Sequence, residues 1–566
     1  MAETFDDLQS VLLETTPGRV ASLRVDVIVV GGGAAGGLAS LLLCEAGLRV
    51  LTLDAGVRKG FFQAPYSRAL SAVVTRVATP EMFERLPLSV SNLGRKALRL
   101  AGRLRQPVQS RCFAWELQPD CLVDDRDNPY LSDPEGPFCW FRSRQLGGRM
   151  TVPGHGRQYY RLSAADLDPR DGLSPSWPVT AEDLAPWYAL VERRLGLHGR
   201  REGHPWVPDS EIAQAIEPTP AESDLMTAIG RRWPHLQPIA GRFAPPLASL
   251  AQAARTGRLA CRQGVVVRQI HVDGEGAVCG VSFVDDASGA ELRVEAPLVF
   301  LCASTLESTR LLMLSRSTRH PEGLGGASGA LGRNLMDHVV MSGRGFGPAL
   351  PGGRATLVDG RSVYVPRFDL QGGEDGQAPG AGRGFGVQLY RMSKGADASF
   401  FQAVAFAEMT PRPDNRIALD GRVKDRWGVP ALAIRCRHSA QEIDQARRQS
   451  AALQAIADVL GVRLTDLNTA PTPPGMAIHE CGTARMGSTP ESSVLDPFNQ
   501  CWDAKGLYVT DGACFPSQGA QNPTLTIMAL TARACDHALR GLKASATTVQ
   551  PDGRPATARP LGVPVG

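Results

Sequence analysis

The sequence predicts an α/β protein in two parts, a parallel-sheet domain interrupted by a second, discontinuous domain built on a β-sheet. Three observations lead there. A chain of 566 residues exceeds the size at which a single hydrophobic core keeps growing. A compact strand–turn–helix–strand unit opens the ordered sequence, and apolar runs of strand length recur near residues 298 and 507. Between them lie long Gly/Pro-rich stretches of a different character. Hydrophobic residues at 43% and charged residues at 21% describe an ordinary globular protein, which excludes a disordered chain.

The first unit is "VDVIVVGGGAAGGLASLLLCEAGLRVLTLDAG", Val25 to Gly56. Val27 to Val30 form an apolar run short enough for a buried parallel strand. Gly31, Gly33 and Gly36 fit G-x-G-x-x-G, and a helix continues to Ala46, with Gly47 where a helix end favours positive φ. A second strand, Val50 to Leu53, delivers Asp54, 23 residues after Gly31. That spacing suits an acid meeting the ribose of a dinucleotide whose pyrophosphate lies on the helix N-terminus.

Further along, "GVVVRQIHVDGEGAVCGVSFVD" alternates apolar and polar residues around Asp273-Gly274, as a hairpin does. "APLVFLCASTLESTRLLMLS" supplies another buried strand, Leu298 to Cys302, and a helix that returns to the first sheet. From about Gly343 to Pro474 short β-like runs such as "RSVYVPRF" and "FQAVAFAEM" alternate with loops. The expected division is a nucleotide domain of residues 20–180, 255–342 and 475–542, a substrate domain of 181–254 and 343–474, and a disordered tail of 543–566.

Net charge is only +4, with no run of like charges, so nucleic acid is not an expected partner. The acidic start "MAETFDD" lacks the form of a leader, and no 18-residue apolar span occurs, so membrane insertion is not expected and a cytoplasmic location is. Twelve cysteines are scattered without a C-x-x-C pair, which points to reduced thiols and to no metal site.

Three pieces close the chain: "AIHECGTARMG", "GLYVTDGACFPSQGAQ" and "NPTLTIMALTARACDHAL". On its own letters, His479 beside Cys481 reads as half of a metal site, a Cys/His pair or a lone base. The second piece contains a strand, Leu507 to Thr510, ending in Asp511-Gly512. The third begins a helix with Asn522 as N-cap and Pro523 in the first turn, its apolar stripe running through Leu525, Met528, Ala529, Ala532 and Leu539.

The order of these motifs, with the N-terminal glycines and "LGRNLMDH" (Leu331 to His338), resembles the glucose-methanol-choline (GMC) oxidoreductase family, which binds FAD and oxidises alcohols. "PYLSDPEGPFCWFRSRQLGG" and "SPSWPVTAEDLAPWYALVERRLGLHG" are similar to its sugar- and glycoside-oxidising branch. The resemblance implies a Rossmann-like FAD-binding domain. It implies His479 as the base and Asn522 as the second group on the substrate hydroxyl. It also implies cofactor contacts from Gly31, Gly33, Gly36, Asp54, Val266, Asp511, Gly512, Asn522, Pro523 and Thr524. Neutral imidazole suits a base because its pKa lies near 6.5.

The sequence departs from that branch after "LGG". Val152 and Pro153 stand where its His-Trp pair falls, and that histidine is in some members bonded to the flavin. His155 is three residues late, so the FAD is expected to be non-covalent. The expectation is FAD-dependent oxidation of a secondary alcohol, a sugar ring hydroxyl of a glycoside or related natural product, with oxygen, a quinone or a redox protein as electron acceptor. The competing readings are a non-sugar alcohol, a hydroxynitrile lyase-like enzyme and a flavin-containing scaffold without turnover.

Overall fold

The computed structural model describes residues 25–56, 105–115, 121–152, 155, 157–170, 172–245, 247–350, 361–368, 384–394 and 397–549. The opening unit folds as β1 (Val27–Val30), α1 (Ala34–Glu45) and β2 (Val50–Asp54). These strands sit at the centre of a five-stranded parallel sheet. Its order is Leu507–Val509, Val299–Leu301, β1, β2, Leu259–Gln263. The runs at 298 and 507 thus return to one sheet across more than 200 residues, as the α/β reading requires.

Two glycines allow close approaches at this turn, Gly31 to the segment after the neighbouring strand and Gly36 between helix and turn. A Cβ on Gly31, whose φ is +94°, would stand 2.4 Å from the Cys302 carbonyl oxygen, and one on Gly36 would stand 1.7 Å from that of Gly31. Gly33 differs: a Cβ there would meet nothing within 4 Å. The first and third glycines close the turn, and the second faces open space.

Val265–Val272 and Val278–Asp285 form the expected hairpin, with Glu291–Val294 as a third strand. The Asp273 carboxylate accepts the N–H groups of Glu275 and Ala277 and so shapes its turn.

The second sheet has six strands, in the order Arg463–Leu467, His338–Pro348, Ala398–Glu408, Phe385–Lys394, Val363–Val365, Ile239–Ala240, with antiparallel neighbours throughout. In the Ala398–Glu408 strand burial alternates with period two: Phe401, Ala403, Ala405 and Ala407 are fully buried, while Gln402, Val404 and Phe406 are not. The helix Ala440–Val459 packs on this sheet, and the face bearing Gln402, Val404 and Phe406 lines the large cavity described below.

Several elements pack across or span the expected domain boundaries. Helix Ala181–Leu195, assigned to the substrate domain, packs on the final helix, Thr524–Val549, and Tyr188 hydrogen-bonds Thr526 at 2.8 Å. Helix Ser249–Ala254 packs on α1. An amphipathic stripe such as Leu184, Trp187, Tyr188, Val191 specifies that a helix is buried, not its partner. The expected boundary at 342/343 falls inside the His338–Pro348 strand. Of the tail, residues 543–549 belong to the final helix, and 550–566 lie outside the described residues.

The glycine geometry separates two substitutions. Gly36→Ala forces a Cβ into the Gly31 carbonyl, and overpacking of this kind costs about 1–3 kcal/mol or more. Gly33→Ala adds a methyl to open space. Chemical denaturation followed by circular dichroism is expected to show a lowered midpoint for G36A and an unchanged one for G33A. Equal midpoints would mean that β1 and α1 do not pack as described.

Candidate active site

A cavity of about 1280 Å³ runs between the two sheets. It is lined by Gly31, Gly33, Asp54, Val266, Asp511, Gly512, Asn522, Pro523, Thr524 and His479, so of the residues expected at a site only Gly36 is absent from its wall. Gly36 acts beneath, by letting α1 close on β1.

At one end stands the glycine turn. Gly33 is the N-cap of α1, and no side chain caps it, so the helix end is open to an anion. Asp54 accepts the N–H groups of Gly32 at 2.7 Å and Gly56 at 2.6 Å. Burial holds its carboxyl above the ordinary range against those two bonds. Asp511 accepts the Ser308 hydroxyl and, at 3.0 Å, the Ala513 N–H, which starts the turn Gly512–Cys514. Burial pushes its carboxyl up to about 6.

At the other end the loop 475–479 carries His479. Asp337, fully buried, accepts the N–H groups of Gly475 and Ala477 on one oxygen (2.7 and 3.1 Å) and that of His479 on the other (3.0 Å). Ile478 takes φ +63°, a left-handed conformation rare for a β-branched residue. Arg149 donates to its carbonyl at 3.0 Å and to the Glu480 carboxylate at 2.8 Å, and Gln518 donates to the His479 carbonyl at 2.6 Å.

The His479 ring is placed on both sides. Its Nδ1 lies 2.7 Å from Nδ1 of His338, and its Nε2 lies 3.3 Å from Nδ2 of Asn522. Burial above all holds its pKa well below the ordinary imidazole value, and the Arg149 guanidinium adds to the effect. The ring is therefore neutral near pH 7 and able to accept a proton.

Asn522 was expected to cap the final helix. It does not: the Ile527 N–H bonds the Pro523 carbonyl at 3.0 Å, so Pro523 is the capping residue and Asn522 precedes it. The residue before a proline is pushed to extended backbone, and the Asn522 side chain is free to meet His479. Its Oδ1 accepts from Gln388 Nε2 at 2.7 Å. Gln388 in turn accepts from Tyr390, and Gln158 donates to the Tyr390 oxygen at 2.7 Å.

Cys481 is no partner for His479. It is fully buried in a bridge with Met336, and burial holds its thiol protonated, well above the ordinary range. Among the described residues no group of three or more His, Cys, Asp and Glu could hold a metal ion. None of the twelve cysteines forms a disulfide. Val152 is buried, and His155 lines the cavity with its ring stacked on Phe113 at 5.0 Å.

Sequence reasoning missed Asp337, Arg149, Gln388 and Gln518 as parts of this site. His338 and Asp337 stood inside the quoted "LGRNLMDH", but their work depends on contacts about 140 residues away in the chain.

Comparison with known proteins agrees with this architecture. Residues 411–531 match the family model described as GMC oxidoreductase. The chain is 26% identical to 2-methyl-1,2-propanediol dehydrogenase of Mycolicibacterium austroafricanum, over 91% of this chain and 95% of that protein. It is 31% identical to C-glycoside 3-oxidase of Arthrobacter globiformis, over 46% of this chain and 49% of the relative. A solved structure of formate oxidase from Aspergillus oryzae RIB40, concerned with modification of its FAD, superposes with a TM-score of 0.57 at 16% identity, covering 94% of this chain and 100% of the other. No helix among the described residues is long and apolar enough to cross a membrane. With an uncapped helix end at Gly33 and an imidazole at the far end of the same cavity, the chain has the architecture of the GMC oxidoreductases, and its residues 411–531 carry that family's C-terminal domain.

Proposed function

We propose that this protein is a cytoplasmic enzyme that holds FAD non-covalently and oxidises a secondary alcohol, a ring hydroxyl of a glycoside or related natural product, with His479 as the base. The observation that carries the reading is the His479 imidazole, its Nε2 opposite Asn522, in one cavity with the open helix end at Gly33. Twelve cysteines without a disulfide suit a reducing compartment.

Gly31, Gly33 and Gly36 would admit the pyrophosphate to the α1 N-terminus, and Asp54 would meet the ribose. Val266, Asp511, Gly512, Pro523 and Thr524 would line the remaining length. Bound FAD supplies the acceptor for the hydride that leaves the alcohol carbon. The protein's own residues handle the proton. The substrate hydroxyl donates to Nε2 of His479, while the Asn522 amide, uncharged, orients that hydroxyl without competing for its proton. Such acid–base help is worth about 10² to 10⁴ in rate. The N–H groups at the start of the final helix add partial positive charge at Pro523 and Thr524.

The second sheet supports a glycoside. Three cross-strand rows face the cavity: Val340 beside Phe406, Ser342–Val404–Gln388, and Arg344–Gln402–Tyr390. The Phe406 ring stands 5.5 Å from His479, an apolar wall beside the reacting carbon. Gln402, four residues further, lies about 13 Å along the strand. That span exceeds one pyranose ring and ends in donors and acceptors, as a substrate with a second polar unit requires. The electron acceptor, whether oxygen, a quinone or a redox protein, takes part after the sugar has reacted.

Anaerobic addition of glycosides, free sugars and simple diols to the holoenzyme is expected to bleach the flavin band with glycosides, and His479→Ala is expected to abolish bleaching. Bleaching unchanged in H479A eliminates the assigned base; a response to simple diols alone eliminates the glycoside. Turnover without any bleaching would favour a lyase.

Gln402→Leu removes one hydrogen-bonding group from the distal row. KM for a two-ring glycoside is expected to rise about tenfold, the equivalent of one hydrogen bond, while KM for a one-ring substrate stays unchanged. An equal rise for both would place the second unit elsewhere.

Acid precipitation tests cofactor attachment. With Val152 in place of a bonding histidine, the yellow colour is expected in the supernatant; flavin retained on the polypeptide would identify a covalent link, with His155 as the first position to examine.

A further inference from the structure

The two histidines of the site are not equivalent, and their hydrogen bonds determine which nitrogen of each carries a proton. His338 is buried at the start of its strand, and its Nε2 lies 2.9 Å from the Gly519 carbonyl oxygen. A carbonyl only accepts, so His338 must be protonated on Nε2. Gly519 takes φ +69°, and a Cβ there would stand 2.8 Å from Gln521 Oε1 and 2.9 Å from Leu162, so this segment aims its carbonyl through a glycine. Burial brings the His338 pKa down to about 4. A neutral imidazole has a single N–H, and in His338 it is committed to Gly519. Its Nδ1 is therefore a lone pair.

That lone pair faces His479 Nδ1 at 2.7 Å. One of the two must donate, and only His479 can. A neutral His479 with its proton on Nδ1 has a bare Nε2, the nitrogen that faces Asn522 and the cavity. The opposite side of the site imposes the same assignment. Gln388 donates to Asn522 Oδ1 at 2.7 Å, which turns the Asn522 NH₂ toward His479 Nε2, and a donor there needs a lone pair.

We propose that His338 is a positioning residue for the reaction: fixed by the Gly519 carbonyl, it accepts the Nδ1–H of His479 and so presents the Nε2 lone pair of His479 to the substrate hydroxyl. This rests on reading His479 as the base. His338 does not pass the proton on. Taking a proton from His479 Nδ1 would make it a buried imidazolium, a charge its surroundings disfavour, and the Gly519 carbonyl, an acceptor only, gives its Nε2–H no onward path. The proton taken from the substrate stays on Nε2 of His479, and the resulting imidazolium keeps its Nδ1–H bonded to a neutral acceptor. The perpendicular ring contact, 89° at 4.9 Å between centroids, places the two nitrogens for this bond.

The test has two arms that fail separately. In the holoenzyme labelled with ¹⁵N-histidine, long-range ¹H–¹⁵N spectra are expected to show His479 protonated on Nδ1 and bare on Nε2, and His338 the reverse, with signals assigned by their loss in H479A and H338N. Protonation of His479 on Nε2 overturns the proposal whatever the enzyme's substrate. In the kinetic arm His338→Phe keeps a ring and deletes the acceptor. Its kcat is expected to fall by at least about 10²-fold, the scale on which a base in the wrong tautomer loses function. Flavin content is expected to be unchanged and KM to stay within about threefold. His338→Asn can place an amide oxygen where Nδ1 lies and is expected to restore kcat to within about tenfold of the native enzyme.

A fully active H338F, or equal losses in H338F and H338N, overturns the positioning role. If H338F does not accumulate as folded protein, the native spectrum decides alone. Should H479A retain activity while the spectrum is as expected, the base assignment fails and the tautomer assignment stands.

Discussion

One buried carboxylate, that of Asp337, holds the active end of the molecule in shape. Its two oxygens collect three backbone N–H groups from a single short loop, and that loop carries His479. Each such bond is worth about 0.5–1.5 kcal/mol, and more while the acceptor is ionised. They are set against a left-handed Ile478, which costs on the order of 1–3 kcal/mol. The carboxylate prevails. Burial and the nearby Glu480 push its carboxyl up to about 7 against those three bonds. Glu480 is itself held by Arg149, which also binds the Ile478 carbonyl. The strained residue next to the base is thus gripped from both sides, and the base has little freedom to leave the cavity wall.

The parts of this site legible in the sequence are those imposed by local backbone geometry. Gly31 and Gly36 are required because a Cβ at either would run into a carbonyl oxygen, and such a requirement is visible in spacing alone. The hairpin turn at Asp273 and the return of the strands near 298 and 507 to one sheet belong to the same class. What could not be read from the letters depends on contacts between distant segments. Asn522 has the composition of an N-cap, yet the first turn closes on the Pro523 carbonyl and releases its side chain to His479. Helix Ala181–Leu195 announces a buried face without naming the final helix as its partner. His338 was present in a recognisable motif, but its meaning needed the carbonyl of Gly519, 181 residues later.

The surroundings of His479 also explain why cysteine chemistry has no part here. Cys481 is two residues away along an extended segment, but it points into protein, with Gln518 Nε2 at 3.8 Å and Cys514 adding to its unfavourable ionisation. Glu480, Asp337 and Asp511 disfavour a thiolate there as well. The histidine and the cysteine of "AIHECGTARMG" therefore serve different surroundings, one the cavity and the other the core.

The base itself touches neutral partners: His338, Asn522, Gln388 and Tyr390 form a connected set without a formal charge, while Arg149 is engaged by Glu480. Burying an imidazole among such groups lowers its pKa, and every unit lowered corresponds to about 1.4 kcal/mol against the imidazolium. The arrangement accepts that cost in basicity and in return keeps His479 unprotonated at neutral pH, ready before substrate arrives. Charge then develops only when the hydroxyl proton moves. At that moment the Nδ1–H of the imidazolium points at a lone pair already in place. Little reorganisation is needed, which is the condition under which a weak buried base can still be an effective one.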